Sequence, residues 1–183
     1  MKHLKAVGAA VIAAAALGAF TGSASATVLT SPVGFEYTGT MTWTASESLL
    51  FKGEFSNVTC TESTISGTVK TNAMTAEISI SSISFTNCSV RLVVIRTGSL
   101  TVASGGAVTG RNVEWTTEVS GSGTSCVYGF ANGTALGTLK GGTPASLQIS
   151  ASLPKLSGGF ACPSSVAWSG KYAITKPTTV LVD

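Results

Sequence analysis

Val166-Ala167-Trp168-Ser169-Gly170-Lys171-Tyr172-Ala173-Ile174 decides the fold, because Val166, Trp168, Tyr172 and Ile174 fall on every second position with Gly170 among them. A period of two puts these residues on one face of an extended strand and turns Ala167, Ser169, Lys171 and Ala173 to the other. Just upstream, Leu147, Ile149, Ala151 and Leu153 alternate with Gln148, Ser150 and Ser152 in the same way. The pattern continues back along the chain: Val113, Trp115, Thr117 and Val119; Ala76, Ile78 and Ile80; Ile65, Gly67 and Val69. It is present again in Leu49, Phe51, Gly53 and Phe55, and in Phe35, Tyr37, Gly39, Met41 and Trp43. The phase slips at Ser81 and Ser82 before Ile83 and Phe85, which predicts a β-bulge. Gly105 and Gly106 read as a hairpin turn between Thr101 to Ser104 and Ala107 to Arg111, and Gly141 and Gly142 punctuate the second half similarly. No segment carries a helical stripe, so the expected class is all-β: an antiparallel β-sandwich, with a closed antiparallel barrel as the alternative. An immunoglobulin domain proper would place a tryptophan about a dozen residues after its first cysteine. Ala73 occupies that region after Cys60.

The N-terminus supplies an address. Lys2, His3 and Lys5 precede an apolar and glycine run from Ala6 to Phe20, and Ala24-Ser25-Ala26 forms a small-residue cleavage site. This is the pattern of a secretory signal peptide over residues 1–26, leaving one domain over 27–183. The run is shorter than the roughly 20 residues of a membrane span, and the first cysteine, Cys60, lies too far on to be a lipoprotein's acylation site.

Four cysteines, Cys60, Cys88, Cys126 and Cys162, then stand in a segment without histidine whose only aspartate is Asp183. Exported thiols become disulfides. Zinc sites need closely spaced cysteine or histidine partners and calcium loops need clustered carboxylates, so neither a metal nor a cofactor is expected. The simplest pairing joins Cys60 to Cys88 and Cys126 to Cys162, although four cysteines allow three connectivities and the sequence does not choose among them. The two cysteine-bounded segments share an order of features: an alternating run, a turn, a longer strand, and Phe85 or Phe160 shortly before the closing cysteine. That order is compatible with an internal duplication.

Charge and residue inventory narrow the chemistry. After residue 26, nine basic residues (Lys52, Lys70, Arg91, Arg96, Arg111, Lys140, Lys155, Lys171, Lys176) are scattered among eight acidic ones, which disfavours a nucleic-acid partner. Arg91 and Arg96 flank Leu92 to Ile95, which reads as a buried strand with solvated ends. A serine or cysteine triad lacks its histidine. Glu114 and Glu118, the obvious glycosidase pair, lie four residues apart on one strand face, about 13 Å along the backbone and too far for either hydrolytic geometry. Ser152-Leu153-Pro154-Lys155 spells Ser-x-x-Lys but ends a strand at a proline, without the helical turn that would bring lysine onto serine. Asn57-Val58-Thr59 and Asn132-Gly133-Thr134 are glycosylation tripeptides of the kind that arise by chance.

Three stretches carry a family resemblance: Thr59-Cys60-Thr61-Glu62-Ser63-Thr64-Ile65-Ser66-Gly67, Ile83-Ser84-Phe85-Thr86-Asn87-Cys88, and Gly170-Lys171-Tyr172 ahead of Pro177. In them the chain resembles small secreted Ser/Thr/Gly-rich bacterial β-proteins, many of them actinobacterial and some similar to the alkane-oxidation activator PraB. The resemblance implies an extracellular β-rich protein and brings no catalytic residues with it. Together these readings point to a secreted, non-catalytic structural or surface-interaction protein of the bacterial cell envelope or extracellular matrix. Its expected contacts are copies of itself or envelope components, with terminal strands at Thr27 to Val33 and Thr178 to Val182 that pair within the domain or with a neighbour. The alternative is an extracellular carbohydrate-binding module, which would require Trp43, Trp115 or Trp168 to be exposed; their alternation phase places all three in the core.

Overall fold

The computed structural model describes residues 28–32, 34–54, 57–119, 124–130 and 132–183; the expected leader and Thr27 lie outside the described residues. The strands of the first half are β1 Leu29–Thr30, β2 Thr40–Ala45, β3 Leu49–Lys52, β4 Asn57–Asn72, β5 Thr75–Cys88, β6 Leu92–Arg96 and β7 Ser99–Ala103. Those of the second are β8 Ala107–Arg111, β9 Glu114–Val119, β10 Thr124–Gly129, β11 Thr134–Lys140, β12 Ser146–Ser157, β13 Ser165–Lys176 and β14 Leu181–Val182.

Hydrogen-bonded ladders join β2 to β4, then β5, β7, β8, β11, β12 and β13, and β13 returns to β2 through Tyr172 opposite Ala45, Ala173 opposite Thr44 and Ile174 opposite Trp43. The ring is therefore closed, antiparallel and eight strands round, which is the barrel of the two architectures the alternation allows. Over the rungs that make the ring, closure satisfies both edges of each strand.

Each strand continues into an upper tier. β4, β5, β12 and β13 pass straight through, whereas the other courses are interrupted at a common level: β2 leads into β3, β6 into β7, β8 into β9 and β10 into β11. In the upper tier β3 bridges β13 and β4, and β12 is followed by β10, β9 and β6. The chain is thus a meander of eight bent courses. Cys60 lies near the start of the second course and Cys88 ends the third, whereas Cys126 lies near the start of the sixth and Cys162 in the loop after the seventh.

The side chains follow the alternation. β13 is buried at Val166, Trp168, Gly170, Tyr172 and Ile174 and exposed at the residues between them up to Lys171, with Ala173 half-buried. Phe51, Phe85, Trp115, Phe130 and Trp168, from five different courses, meet inside with ring centroids 5.4 to 6.1 Å apart. Offset and edge-on contacts at such distances add to the burial of large apolar area. Trp43, Trp115 and Trp168 are all buried. The phase slip is a bulge: Ser66 faces Ser82 and the next residue, Gly67, faces Ile80, so Ser81 is the extra residue. At the start of the first course the alternation misleads, because strand β2 begins only at Thr40, while Phe35 is 72% exposed.

The first and last described strands, β1 and β14, close the lower end of the barrel. Leu29 pairs with Val182 and Thr30 with Leu181, so the terminal strands pair within the domain. The buried Asn72 amide ties this cap down: its Oδ1 accepts from the backbone N–H of Val28 and Leu29, and its Nδ2 donates to the carbonyls of Leu29 and Tyr37. A side chain that satisfies four partners where water is excluded contributes more than a surface bond, since each group left unpaired costs about 1–3 kcal/mol.

Two disulfides are present. Cys60 and Cys88 stand directly opposite one another on β4 and β5, and Cys126 on β10 reaches Cys162 between β12 and β13. Sequence separations of 28 and 36 residues correspond to about 3–4 kcal/mol each in the chain-entropy account.

Burial raises the pKa of all three tyrosines, Tyr37, Tyr128 and Tyr172, above the ordinary value, most strongly for Tyr172, where the contact of its hydroxyl with Ser63 Oγ at 3.0 Å offsets only part of the rise. Unfolded tyrosines ionise near pH 10, so this contribution to stability is complete below about pH 10 and is lost as pH rises beyond it. In an alkaline titration the phenolate absorbance is expected to appear together with loss of the β-sheet circular dichroism; three phenolates forming in the folded protein near pH 10 would contradict the burial.

Candidate functional site

The chemistry-bearing residues are occupied structurally. Every described cysteine is in a disulfide, and no group of three His, Cys, Asp or Glu side chains able to hold a metal occurs among the described residues. Glu114 faces Arg96 at 3.6 Å, while the side chain of Glu118 lies outside the described residues. Ser152 is exposed on β12 opposite Ala167. Lys155 is turned to the loop at 158–164, its Nζ donating to the carbonyls of Gly159 and Cys162 at 3.3 and 3.1 Å. Tyr128 donates to the Pro163 carbonyl of the same loop, which the disulfide at Cys162 also holds. Asn57 and Asn132 are exposed, at the start of β4 and in the turn before β11.

The distinctive feature of the surface is a break in the upper tier. Along its lower half β5 pairs with β7 from Thr75 opposite Ala103 to Ser79 opposite Ser99, and Ile80 N–H donates to the Gly98 carbonyl as the last rung. Beyond it no ladder joins β5 to β6 among the described residues, although the two strands follow one another in the chain. β6 turns instead to β9, with Leu92 opposite Thr117, Val93 opposite Thr116 and Val94 opposite Trp115. One edge of β5 from Ser81 to Cys88 and one edge of β6 are left without a strand partner among the described residues.

Local backbone chemistry produces this divergence. Gly98, between β6 and β7, has φ +66°, and a Cβ built on it would stand 2.0 Å from the Arg111 carbonyl oxygen. Only glycine meets both demands. At the upper end Asn87 is also left-handed, at φ 51°, and the turn is fastened to β4 rather than to β6: Ser89 N–H donates to the Thr59 carbonyl, and Thr59 N–H to Ser89 Oγ. Asparagine tolerates that region better than most residues.

The break alters the exposure of what lines it. Ile83 and Phe85 on β5, and Leu92 and Val94 on β6, point toward the interior but are only half-buried. Phe85 also touches Phe51, Trp115 and Trp168, so the seam leads directly onto the aromatic core. On the outer side of β6, Val93 is 39% and Ile95 56% exposed. The expectation of a buried strand between Arg91 and Arg96 is thereby corrected: Leu92 to Ile95 is an edge, partnered on one side alone, and its apolar run reaches solvent. An all-apolar run has the same spelling in a central strand and in an unprotected edge. Gly98, just after β6, and Asn87, near the end of β5, are the sequence signals that bound the unladdered stretch.

No protein family, curated protein or solved structure matches this chain. The arrangement must be read from its own geometry. Two unpaired strand edges above half-buried apolar side chains can accept an added strand, with main-chain hydrogen bonds giving affinity and alternate side chains giving selectivity.

Gly98→Ala is expected to cost at least about 2 kcal/mol in urea unfolding, from backbone strain together with the collision at Arg111. A neutral substitution would remove Gly98 as the pivot of the seam.

Proposed function

We propose that this is a secreted, non-catalytic β-barrel that acts by surface interaction at the bacterial cell envelope or in the extracellular matrix, and that the open seam between β5 and β6 is its working surface. The observation that carries this reading is the pair of free edges over Ile83, Phe85, Leu92 and Val94, in a barrel whose other joints are laddered. Two disulfides suit an oxidising, extracellular-type environment, and the N-terminal charge, apolar run and small-residue site supply a route to it. The occupation of Lys155 by loop carbonyls and the ion pair between Glu114 and Arg96 favour interaction over catalysis. With all three tryptophans buried, no observation favours the carbohydrate-binding alternative over this reading.

Produced in a bacterium from residue 1, the chain is expected outside the cytoplasm, beginning near Thr27 by mass spectrometry and with no thiol titratable in denaturant. Retention in the cytoplasm at full length, with four titratable thiols, would contradict the reading.

A further inference from the structure

The seam is self-complementary, and we infer that two copies of this chain close each other's barrels, β5 of each pairing with β6 of the other. This rests on the surface-interaction reading and names its partner. β5 runs toward the upper end and β6 away from it, so the free edges are antiparallel. A twofold axis parallel to the barrel axis, placed between two facing seams, keeps those directions. It sets β5 of one copy against β6 of the other, twice. Such an interface is isologous and closes at two subunits.

Side-chain phase selects the register. Matching the interior-facing residues places Ile83 opposite Val94 of the second copy and Phe85 opposite its Leu92, which covers the four half-buried apolar side chains. The same register sets Thr86 opposite Arg91. Thr86 Oγ1 donates to Glu62 Oε2 at 3.1 Å, and Glu62 and Arg91 are both exposed, so each Arg91 arrives beside a carboxylate of the other copy. The charges match without being designed into the apolar centre. Nothing in β6 keeps another strand away: Leu92-Val93-Val94-Ile95 contains no proline and no lysine, and Arg96 is engaged by Glu114. Closure within one chain is opposed at both ends, by the Gly98 pivot and by the attachment of Ser89 to Thr59.

The test is light scattering after size exclusion on the mature disulfide-bonded chain over a range of concentrations, with Val93→Lys, Arg91→Glu, Glu62→Arg and the double charge exchange E62R/R91E. A dimer is expected for the wild type. Val93→Lys, on the exposed face of β6, should shift it to monomer with unchanged circular dichroism. Each single charge reversal should weaken dimerisation about tenfold, and the double exchange should restore it. Should Val93→Lys fail to fold, the charge exchange decides alone, since Glu62 and Arg91 are exposed. A wild type that stays monomeric at millimolar concentration overturns the inference, as does a dimer indifferent to both Val93→Lys and the charge reversals. A wild-type monomer that is nonetheless exported and binds isolated envelopes, with Val93→Lys abolishing that binding, would overturn the dimer while leaving the surface-interaction reading in place.

Discussion

Backbone hydrogen bonding around a closed ring is the constraint on which this protein depends. Antiparallel ladders make each strand of the lower tier the template for two neighbours, and the return of β13 to β2 removes the edges that an open sheet would expose. Closure also decides what the interior must be. Eight strands enclose a space just wide enough for side chains to fill, and here Trp43, Tyr172, Ile149 and Ile78 fill the lower tier while the aromatic group around Trp168 fills the upper one. The disulfides fasten the upper tier, where courses change partners, and the Asn72 amide fastens the lower end, where β1 meets β14.

Against that constraint the β5–β6 seam is informative because it leaves main-chain groups and apolar side chains unpaired together. A barrel can lose a ladder where its ends splay without exposing its core. Here the loss reaches inward as far as Phe85, which contacts three buried aromatic rings. The divergence is also built into the backbone by a glycine that admits no Cβ and an asparagine in the left-handed region. These residues bound the stretch over which β5 and β6 share no ladder, and β6 is laddered to β9 instead.

Much of the architecture was legible in the sequence because a period of two is a direct consequence of the pleat. Val166 to Ile174 and Leu147 to Leu153 alternate as β13 and β12 bury them, Ser81 marks its bulge by a change of phase, and Gly105-Gly106 marks a hairpin. The cysteine pairing followed the shortest connection. Closure was not legible, since it depends on a contact between strands at opposite ends of the chain. Neither was the seam. Leu92 to Ile95 is equally suited to a buried strand, and only the third dimension shows that its second neighbour is missing. Phe35 misled for the opposite reason: a residue can keep the phase of a strand that has not yet begun.

The most direct measurement of this account is residue-resolved amide hydrogen exchange of the mature protein in dilute solution, followed along one edge of β5. The amides from Thr75 to Ile80 that face β7 should be strongly protected, whereas alternate amides between Ser81 and Cys88 that face β6 should exchange as freely as an unpaired edge. Uniform protection along the whole of that edge at dilution would mean that β5 and β6 are laddered after all, and would contradict the open seam.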